Sequence, residues 1–341
     1  MDELSLGDPW LLSTDIGPVI DAAAKQRLDA YVAGKLSDER LLHRLATPPT
    51  GHFVAPALVE VSGMADLPGE VFGPILHVAR FRVQALDKVL AEINAAGYGL
   101  TFAVHSRIAS RIAAITGAIQ AGNIYINRNQ IGAVVASQPF GGEGLSGTGP
   151  KAGGRRYVGR FMHPAGTDTG SMPIAGPEIG FDDVQTAIAR ATPDPGGTPT
   201  ETEHYPGPVG ESNELRLFPR GLVLCLGPTV DDLRRQVDMA RRRGNTVLAV
   251  SPEPVALGAP CLVGRLPPAL LRDLTGFAAV ISFAAPGERA AIRQALAARE
   301  GPILPLVSRP EDAWRLSVER HFCTDLTAAG GDVQLIASAS A

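Results

Sequence analysis

The sequence has few cysteines, no metal-binding histidine pattern and few aromatic residues. Its three cysteines, Cys225, Cys261 and Cys323, are an odd number at wide spacings. Neither a disulfide framework nor a zinc pattern has that form, so we expect a reducing compartment. The seven histidines include no HxH, HExxH or Cys/His pair at ligand spacing. We therefore expect no metal site.

Basic charge and long hydrophobic runs are also missing. Lys and Arg number 31 against 35 Asp and Glu, and the longest basic run is Arg241-Arg242-Arg243. This balance argues against a nucleic-acid partner, and the run is typical of a solvated helix end. No stretch reaches the roughly 20 apolar residues that cross a bilayer, and the first residues do not form a signal peptide. We therefore expect a cytoplasmic protein with no membrane span.

Glycine and proline, in contrast, are abundant. They number 38 and 28, about a fifth of the 341 residues, where roughly 12% is usual. Seven of the glycines fall in residues 138–154, QPFGGEGLSGTGPKAGG, which cannot form an ordinary helix or strand. Residues 163–210 are rich in Pro, Gly, Thr and acidic residues, which is typical of a linker. The chain is 45% hydrophobic, which is enough for a buried core. Its length of 341 residues favours about two domains.

Two separate regions alternate strand and helix signals. In the first, apolar patterns predict helices at 22–36, 86–93 and 108–119, and strands at 52–61, 75–83, 100–105 and 123–127. In the second, they predict strands at 222–226, 246–250, 278–283 and 303–307, and helices at 229–244 and 288–299. Alternation of this kind predicts an α/β fold, with a Rossmann-like module in the second region. Its first strand–helix turn has a single glycine and fails GxGxxG, so we expect no dinucleotide there.

Two segments carry candidate chemistry. In the Gly-rich segment, exposed backbone N–H groups could form an anion nest, and the Ser146 hydroxyl could complete a carboxylate site. A tight multi-turn loop without a ligand fits the same residues equally well. In the second segment, Glu70 could accept from a ribose diol while Phe72 stacks on a ring. Taken alone, a surface Glu beside a core Phe is the more common arrangement.

The chain also resembles a known family. Glu70-Val-Phe-Gly-Pro74, Tyr98-Gly-Leu-Thr101, Ala121-Gly-Asn-Ile-Tyr-Ile-Asn127 and Gln138-Pro-Phe-Gly-Gly142 with Ser146-Gly147 resemble the C-terminal half of the aldehyde dehydrogenase superfamily. Within that superfamily, residues 127–135 and the Gly-rich segment most resemble the L-glutamate-γ-semialdehyde (1-pyrroline-5-carboxylate) dehydrogenase module of the proline utilization A enzymes. Gly7-Asp-Pro-Trp10 and the segment 14–21 fit the same module, and Thr327-Ala-Ala-Gly-Gly331 is similar to the C-terminal domain of longer members.

The resemblance implies a fold and a division into parts. It implies an α/β fold with a partial aldehyde dehydrogenase catalytic domain at 1–162 and a Rossmann-like α/β domain at 215–341. Between them lies a Pro/Gly-rich linker or β-flap at 163–214.

The resemblance also implies roles for individual residues. Glu70 and Phe72 would contact the nicotinamide-side ribose of NAD. Gly144, Leu145 and Ser146 would anchor the substrate's α-carboxylate, and Phe140 would line the substrate tunnel. The implied reaction is NAD-dependent oxidation of L-glutamate γ-semialdehyde to L-glutamate in proline catabolism.

The sequence departs from the family pattern at several positions, and these departures affect the activity that we expect. Ala136-Ser137 stands where a glycine and an apolar residue are expected, and Arg155-Arg156 where a proline is usual. None of the three cysteines occupies the nucleophile's position. The nucleophile, the general-base glutamate and the N-terminal NAD-binding domain are expected upstream of Gly7-Asp-Pro. We therefore name no catalytic residue and expect a fragment that is inactive alone.

Two other functions stay open. The chain could be a non-catalytic partner that complements a separately encoded N-terminal half or forms a homo-oligomer. It could also be a carboxylate-binding module that uses only the Gly-rich segment to hold glutamate or its semialdehyde.

Overall fold

The computed structural model describes residues 1–67, 69–162, 170–172, 176–191 and 198–327. The chain divides into two compact units, Met1–Ala96 and Gly97–Ala341. Only Thr327 of the predicted 327–331 turn lies within the described residues. In the part of the chain that the structure covers, no helix is long and apolar enough to cross a membrane.

The first unit packs two helices with a small mixed sheet. Its elements are α1 (Ala22–Ser37), β1 (Leu41–Arg44), β2 (Ala57–Glu60), β3 (Ile75–Val78) and α2 (Leu86–Ala95), with short 3-10 helices at Met64–Asp66 and Val83–Ala85. β2 lies between β1, its antiparallel neighbour, and β3, its parallel neighbour. The Asp21 carboxylate caps α1 by accepting from the Ala24 N–H at 2.7 Å.

The second unit holds the remaining elements. In chain order they are β4 (Tyr98–Gly99), β5 (Thr101–Val104), α3 (Ala109–Ala118), β6 (Asn123–Ile126), β7 (Glu143–Gly144), α4 (Phe181–Arg190), β8 (Glu201–Tyr205), β9 (Glu211–Pro219), β10 (Leu222–Cys225), α5 (Val230–Arg242), β11 (Thr246–Ser251), β12 (Cys261–Val263), β13 (Ala279–Ile281), α6 (Pro286–Ala297), β14 (Leu306–Val307) and β15 (Ser317–Asp325). Short 3-10 helices lie at Val158–Phe161, Pro268–Arg272 and Pro310–Leu316.

A parallel sheet forms the core of the predicted Rossmann-like module. Its strand order is β12-β11-β10-β13-β14. Val184 and Ile188 of α4 pack on one face of the sheet with Ile292 of α6. Leu233 and Val237 of α5 pack on the other face. Apolar residues at helical spacing therefore cover both faces, as a buried parallel sheet requires.

A second sheet joins distant parts of the sequence. Its order is β5-β6-β15-β9-β8, with β15 parallel to β6 and antiparallel to β9. The strand at 317–325 therefore lies beside β6, which precedes the Gly-rich segment in the sequence. The division into 1–162, 163–214 and 215–341 stays a prediction, and this sheet combines residues from all three ranges.

The predicted helices at 22–36, 86–93 and 108–119 are confirmed as α1, α2 and α3, within about three residues at each end. The predicted strands are present, but most are shorter. The structure differs most within 163–214, which holds α4, β8 and the start of β9 rather than a linker alone. α4 forms there because Val184 and Ile188, four residues apart, bury one helical face.

Candidate functional site

The Gly-rich segment is a series of tight turns attached to a short strand pair. β7 pairs with β4, so that Gly144 lies opposite Tyr98 and Glu143 opposite Gly99. The N–H groups of Ser146 and Gly147 donate to the carbonyls of Glu143 and Gly144, each at 3.1 Å. The Leu145 N–H donates to the Gly97 carbonyl at 2.9 Å. The segment therefore has a defined backbone rather than a loose loop.

These bonds change the expected carboxylate nest. The amides of Leu145, Ser146 and Gly147 already donate to backbone carbonyls, so a bound carboxylate would have to share them. The Ser146 side chain is half-buried, and its hydroxyl has no hydrogen-bond partner among the described residues. That hydroxyl is thus the donor most available to an anion. Phe140 is half-buried and exchanges two backbone hydrogen bonds with Ala152, at 2.9 and 2.8 Å.

Gly144 occupies a position that only glycine fits well. Its φ is +62°, in the left-handed region that L side chains rarely adopt. A Cβ at this residue would also overlap the Gly97 carbonyl oxygen. The backbone of β7 can therefore approach Gly97 closely only because residue 144 has no side chain.

Side chains of β15 hold the Gly-rich segment in place. Arg320 donates to Glu143 with two bonds, Nε at 2.7 Å and Nη2 at 2.8 Å. Glu319 accepts from the Lys151 backbone N–H at 2.8 Å and from Arg156 Nη1 at 2.9 Å. Arg156, which belongs to the Arg155-Arg156 pair that stands where a proline is usual, also pairs with Glu203 of β8 at 3.1 Å. Sequence reasoning missed these partners of the segment.

Lys151 closes the base of the segment from inside. It is only 2% exposed, and its Nζ donates to the Gly141 carbonyl and, at 3.3 Å, to Asn123 Oδ1. Burial lowers the pKa of Lys151 from 10.5 to about 7, although Glu319 and Glu143 oppose the shift. Near neutral pH this amine therefore carries a charge only part of the time.

The lowered pKa of Lys151 predicts a pH-dependent stability. Between about pH 7 and 10.5 the unfolded chain holds a proton on this amine that the folded chain has released, so the free energy of unfolding rises with pH. Lys151→Met should reduce that rise by roughly 1 kcal/mol per pH unit between pH 7 and 9. Urea unfolding of each protein at pH 7 and at pH 9 measures the rise in the free energy of unfolding. Lys88→Met removes an exposed amine and should leave the rise unchanged; an equal effect in both variants would contradict the assignment.

Glu70 and Phe72 lie in the first unit, on a loop before β3. Glu70 is exposed, and Phe72 is 80% exposed, so Phe72 is not the core residue that the simpler interpretation expected. At Gly73 a Cβ would lie 2.6 Å from Leu28 Cδ1, so the loop packs tightly on α1 just after the aromatic ring. An accessible carboxylate two residues before an accessible ring fits the ribose and nicotinamide end of NAD.

None of the three cysteines shows the features of an activated nucleophile. Burial raises the pKa of Cys225 and of Cys261, and it raises the pKa of Cys323 to about 12. Cys323 Sγ accepts from Arg128 at 3.0 Å and from Gln138 at 3.3 Å, and both donors also bond Glu211. A reactive cysteine needs a lowered pKa and access to substrate.

The first turn of the Rossmann-like module is occupied by its own side chains. Gln236 accepts from the Gly227 N–H at 3.1 Å and donates to the Gly227 carbonyl. Thr229 caps α5 by accepting from the Asp232 N–H at 3.1 Å. Asp231 and Asp232 place negative charge in the first turn, where a nucleotide phosphate would be repelled.

One departure from the family pattern carries backbone strain. Ala136, which stands where a glycine is expected, has φ of +69°. A non-glycine residue in this left-handed region costs roughly 1 kcal/mol or more.

The sequence of the chain is similar to that of known proteins. Residues 1–165 match the model of the aldehyde dehydrogenase family. The chain is 35% identical over 378 residues to the bifunctional protein PutA of Escherichia coli K12, covering 98% of this chain and 29% of that protein. It is 39% identical over 163 residues to a 1-pyrroline-5-carboxylate dehydrogenase of Bacillus thuringiensis, covering 47% of this chain and 31% of that protein.

A solved structure extends the likeness to the fold. PutA from Corynebacterium freiburgense matches with a TM-score of 0.59 and 20% identity, over 94% of this chain and 33% of that one. At that identity the match shows a shared fold. The chain spans less than a third of the length of the two curated relatives described above.

Proposed function

Because residues 1–165 belong to the aldehyde dehydrogenase family and the chain is homologous to the C-terminal region of PutA, we propose that it serves the NAD-dependent oxidation of L-glutamate γ-semialdehyde to L-glutamate. The semialdehyde forms from 1-pyrroline-5-carboxylate in proline catabolism. The observation that carries the proposal is the fixed turn at Gly144–Gly147, where the Ser146 hydroxyl has no partner among the described residues.

In this proposal, the chain's residues bind and orient. The turn positions Ser146 to donate to the substrate's α-carboxylate, with Gly144 and Leu145 shaping the backbone around it. Phe140 lines the path of the aldehyde. Glu70 and Phe72 fit the ribose and ring at the reactive end of NAD, and NAD when bound accepts the hydride.

The chemical step needs a group that these residues do not supply. Oxidation of an aldehyde in this family proceeds through a cysteine thiolate, and a thiol is a poor nucleophile when its pKa is raised. All three cysteines of the chain have raised pKa values. We therefore infer that the thiolate comes from residues outside these 341 and that this chain is inactive alone.

The experiment reconstitutes the reaction with the nucleophile supplied in trans. The chain is co-expressed with the cysteine-bearing half of an aldehyde dehydrogenase region from a PutA homologue, and NADH formation is followed. Ser146→Ala should raise the KM for the semialdehyde roughly tenfold or more, because a hydrogen bond to a charged group is worth about 1.5–3 kcal/mol, and should change kcat little. Thr148→Ala removes a nearby exposed hydroxyl and serves as the control. Equal KM values for both variants would contradict the anchoring role.

A non-catalytic role as a complementing or oligomerisation partner has its own support. Large apolar side chains are exposed in the first unit, including Trp10 at 90% and Ile20 at 92%. Exposed apolar residues of this kind mark surfaces that associate with another chain. If complementation is the whole function, the reconstituted enzyme will keep its KM when Ser146 is replaced.

A further inference from the structure

The second unit contains a cavity of about 450 Å³ to which the proposed function assigns no ligand. One wall is formed by Gly142–Gly144 and Gly147–Lys151 of the Gly-rich segment. The others are the start of β15, the segment 302–305 and the end of the 3-10 helix Pro310–Leu316, with Trp314 and Arg315. The cavity thus lies where the Gly-rich segment meets the α/β module, within one compact unit.

Three arginines line this cavity: Arg160, Arg220 and Arg315. None forms an ion pair with a carboxylate of the described residues. The two carboxylates that also line it, Glu143 and Glu319, already bond other arginines, Arg320 and Arg156. The cavity wall therefore carries an excess of positive charge that the described part of the protein does not neutralise.

Backbone bonds hold two of these arginines in place. Arg220 Nε donates to the Arg315 carbonyl at 2.5 Å, and Arg315 Nη1 donates to the Leu306 carbonyl at 3.2 Å. Burial lowers the pKa of Arg220 to about 10; repulsion from Arg315 adds to the shift, and Glu143 and Glu319 oppose it. Burial also lowers the pKa of Arg315; Asp312 opposes the shift, whereas Arg160 and two other arginines add to it. At both guanidinium groups, burial and repulsion outweigh the nearby carboxylates, so a bound anion would stabilise the charged forms.

The remaining lining is apolar and larger than a simple ion requires. Trp314, Ile303 and Leu304 form part of the wall. A volume near 450 Å³ falls within the range of small-molecule sites, about 300–1,000 Å³. A monocarboxylate would leave most of the guanidinium charge uncompensated, whereas a phosphate dianion presents several oxygens to the planar guanidinium donors.

We propose that this cavity binds a small organic phosphate. Arg160, Arg220 and Arg315 take the phosphate oxygens, and the organic body lies against Trp314 and Ile303. The site is independent of the proposed dehydrogenase function, since it needs neither the semialdehyde nor NAD. Because Gly147–Lys151 forms one wall, an occupied site would stiffen the segment that carries Ser146.

Phenyl phosphate is the probe, with inorganic phosphate and phenol as its two halves. Each is titrated into the 341-residue chain at low salt by calorimetry. The fluorescence of Trp314 is followed in parallel in a Trp10→Phe background, which leaves a single tryptophan. Phenyl phosphate should bind at least tenfold more tightly than either half and should shift the Trp314 emission.

Variants test which residues make the site. Arg160→Gln removes an exposed guanidinium of the cavity wall and should weaken phenyl phosphate binding about tenfold. Arg235→Gln removes an exposed arginine on α5 outside the lining and should stay within twofold of wild type. Gly149→Ala places a Cβ 2.7 Å from Arg160 Nη1 and should weaken binding by displacing that side chain.

Three results would overturn the proposal. The first is dissociation constants above 10 mM for both phenyl phosphate and inorganic phosphate. The second is a dissociation constant for phenol or for inorganic phosphate that equals that of phenyl phosphate. Equal binding of phenol would show that the phosphate is not needed, and equal binding of inorganic phosphate would show that the organic body is not needed. The third is an equal loss of affinity in Arg160→Gln and Arg235→Gln, which would show a general charge effect.

Discussion

Replacing Gly144 by alanine is expected to destabilise the second unit by about 2–5 kcal/mol. A Cβ in the left-handed region costs roughly 1–2 kcal/mol, and forcing extra atoms into a packed site adds roughly 1–3 kcal/mol. At Gly144 both apply, because φ is +62° and the added carbon would overlap the Gly97 carbonyl oxygen. The β4–β7 pair should separate, and the turn that carries Ser146 should lose its fixed position.

Gly153 provides the matched control. It has φ of +74° in the same Gly-rich segment, yet a Cβ there would meet no heavy atom within 4 Å. Gly153→Ala should therefore show only the conformational cost, about 1–2 kcal/mol. Urea unfolding of both variants separates the conformational cost from the cost of the overlap with Gly97. If Gly144→Ala proves no more destabilising than Gly153→Ala, the close approach to Gly97 has no energetic role.

Replacing Arg320 by methionine is expected to destabilise the chain by about 3–5 kcal/mol. The guanidinium and the Glu143 carboxylate are both largely buried, with side-chain exposures of 12% and 14%. Removing one partner leaves the other charge buried without compensation. The guanidinium carbon of Arg320 also lies 4.7 Å from the centre of the Phe218 ring, so methionine loses a cation–π contact as well.

A double-mutant cycle isolates the pair. Arg320→Met combined with Glu143→Gln should be markedly more stable than the sum of the single effects predicts, since neither charge is then left alone. The exposed pair of Arg242 and Asp238 on α5, at 2.8 Å, is the comparison, and Arg242→Met should cost less than about 1 kcal/mol. Additive effects at Arg320 and Glu143 would contradict a coupled pair.

The local patterns predicted the helices and most of the parallel sheet. The isoleucines of α3 recur at helical spacing, and the helix predicted at 229–244 is present as α5. These features depend on neighbours in sequence, which is why the sequence shows them.

The long strand β15 could not be predicted in the same way. Its sequence, SVERHFCTD, mixes charged and apolar residues without clear alternation. The reason is its position between β6 and β9, where His321 and Cys323 are buried while Glu319 and Arg320 reach the Gly-rich segment. Partners 168 and 177 residues apart leave no local signal.

The sequence allowed the candidate site residues to be proposed, and their roles stay predictions, but their geometry could not be derived from it. Gly144 and Ser146 stand out from glycine spacing and family motifs, and the exposed Phe72 agrees with a ring-binding role. The engagement of the amides of Leu145, Ser146 and Gly147 could not be read from the sequence, because glycine-rich segments accept many backbone conformations. The arginine-lined cavity joins residues from 142 to 319 and likewise exists only in the fold.

The most direct test of the account is NADH formation by the purified 341-residue chain, first alone and then with a cysteine-bearing half supplied. Alone, with glutamate semialdehyde and NAD, it should show no turnover above background, since burial raises the pKa of each of its three thiols. Turnover should appear only with the added half. Enzyme-like turnover by the chain alone, lost when Cys225, Cys261 or Cys323 is replaced by alanine, would contradict the central claim.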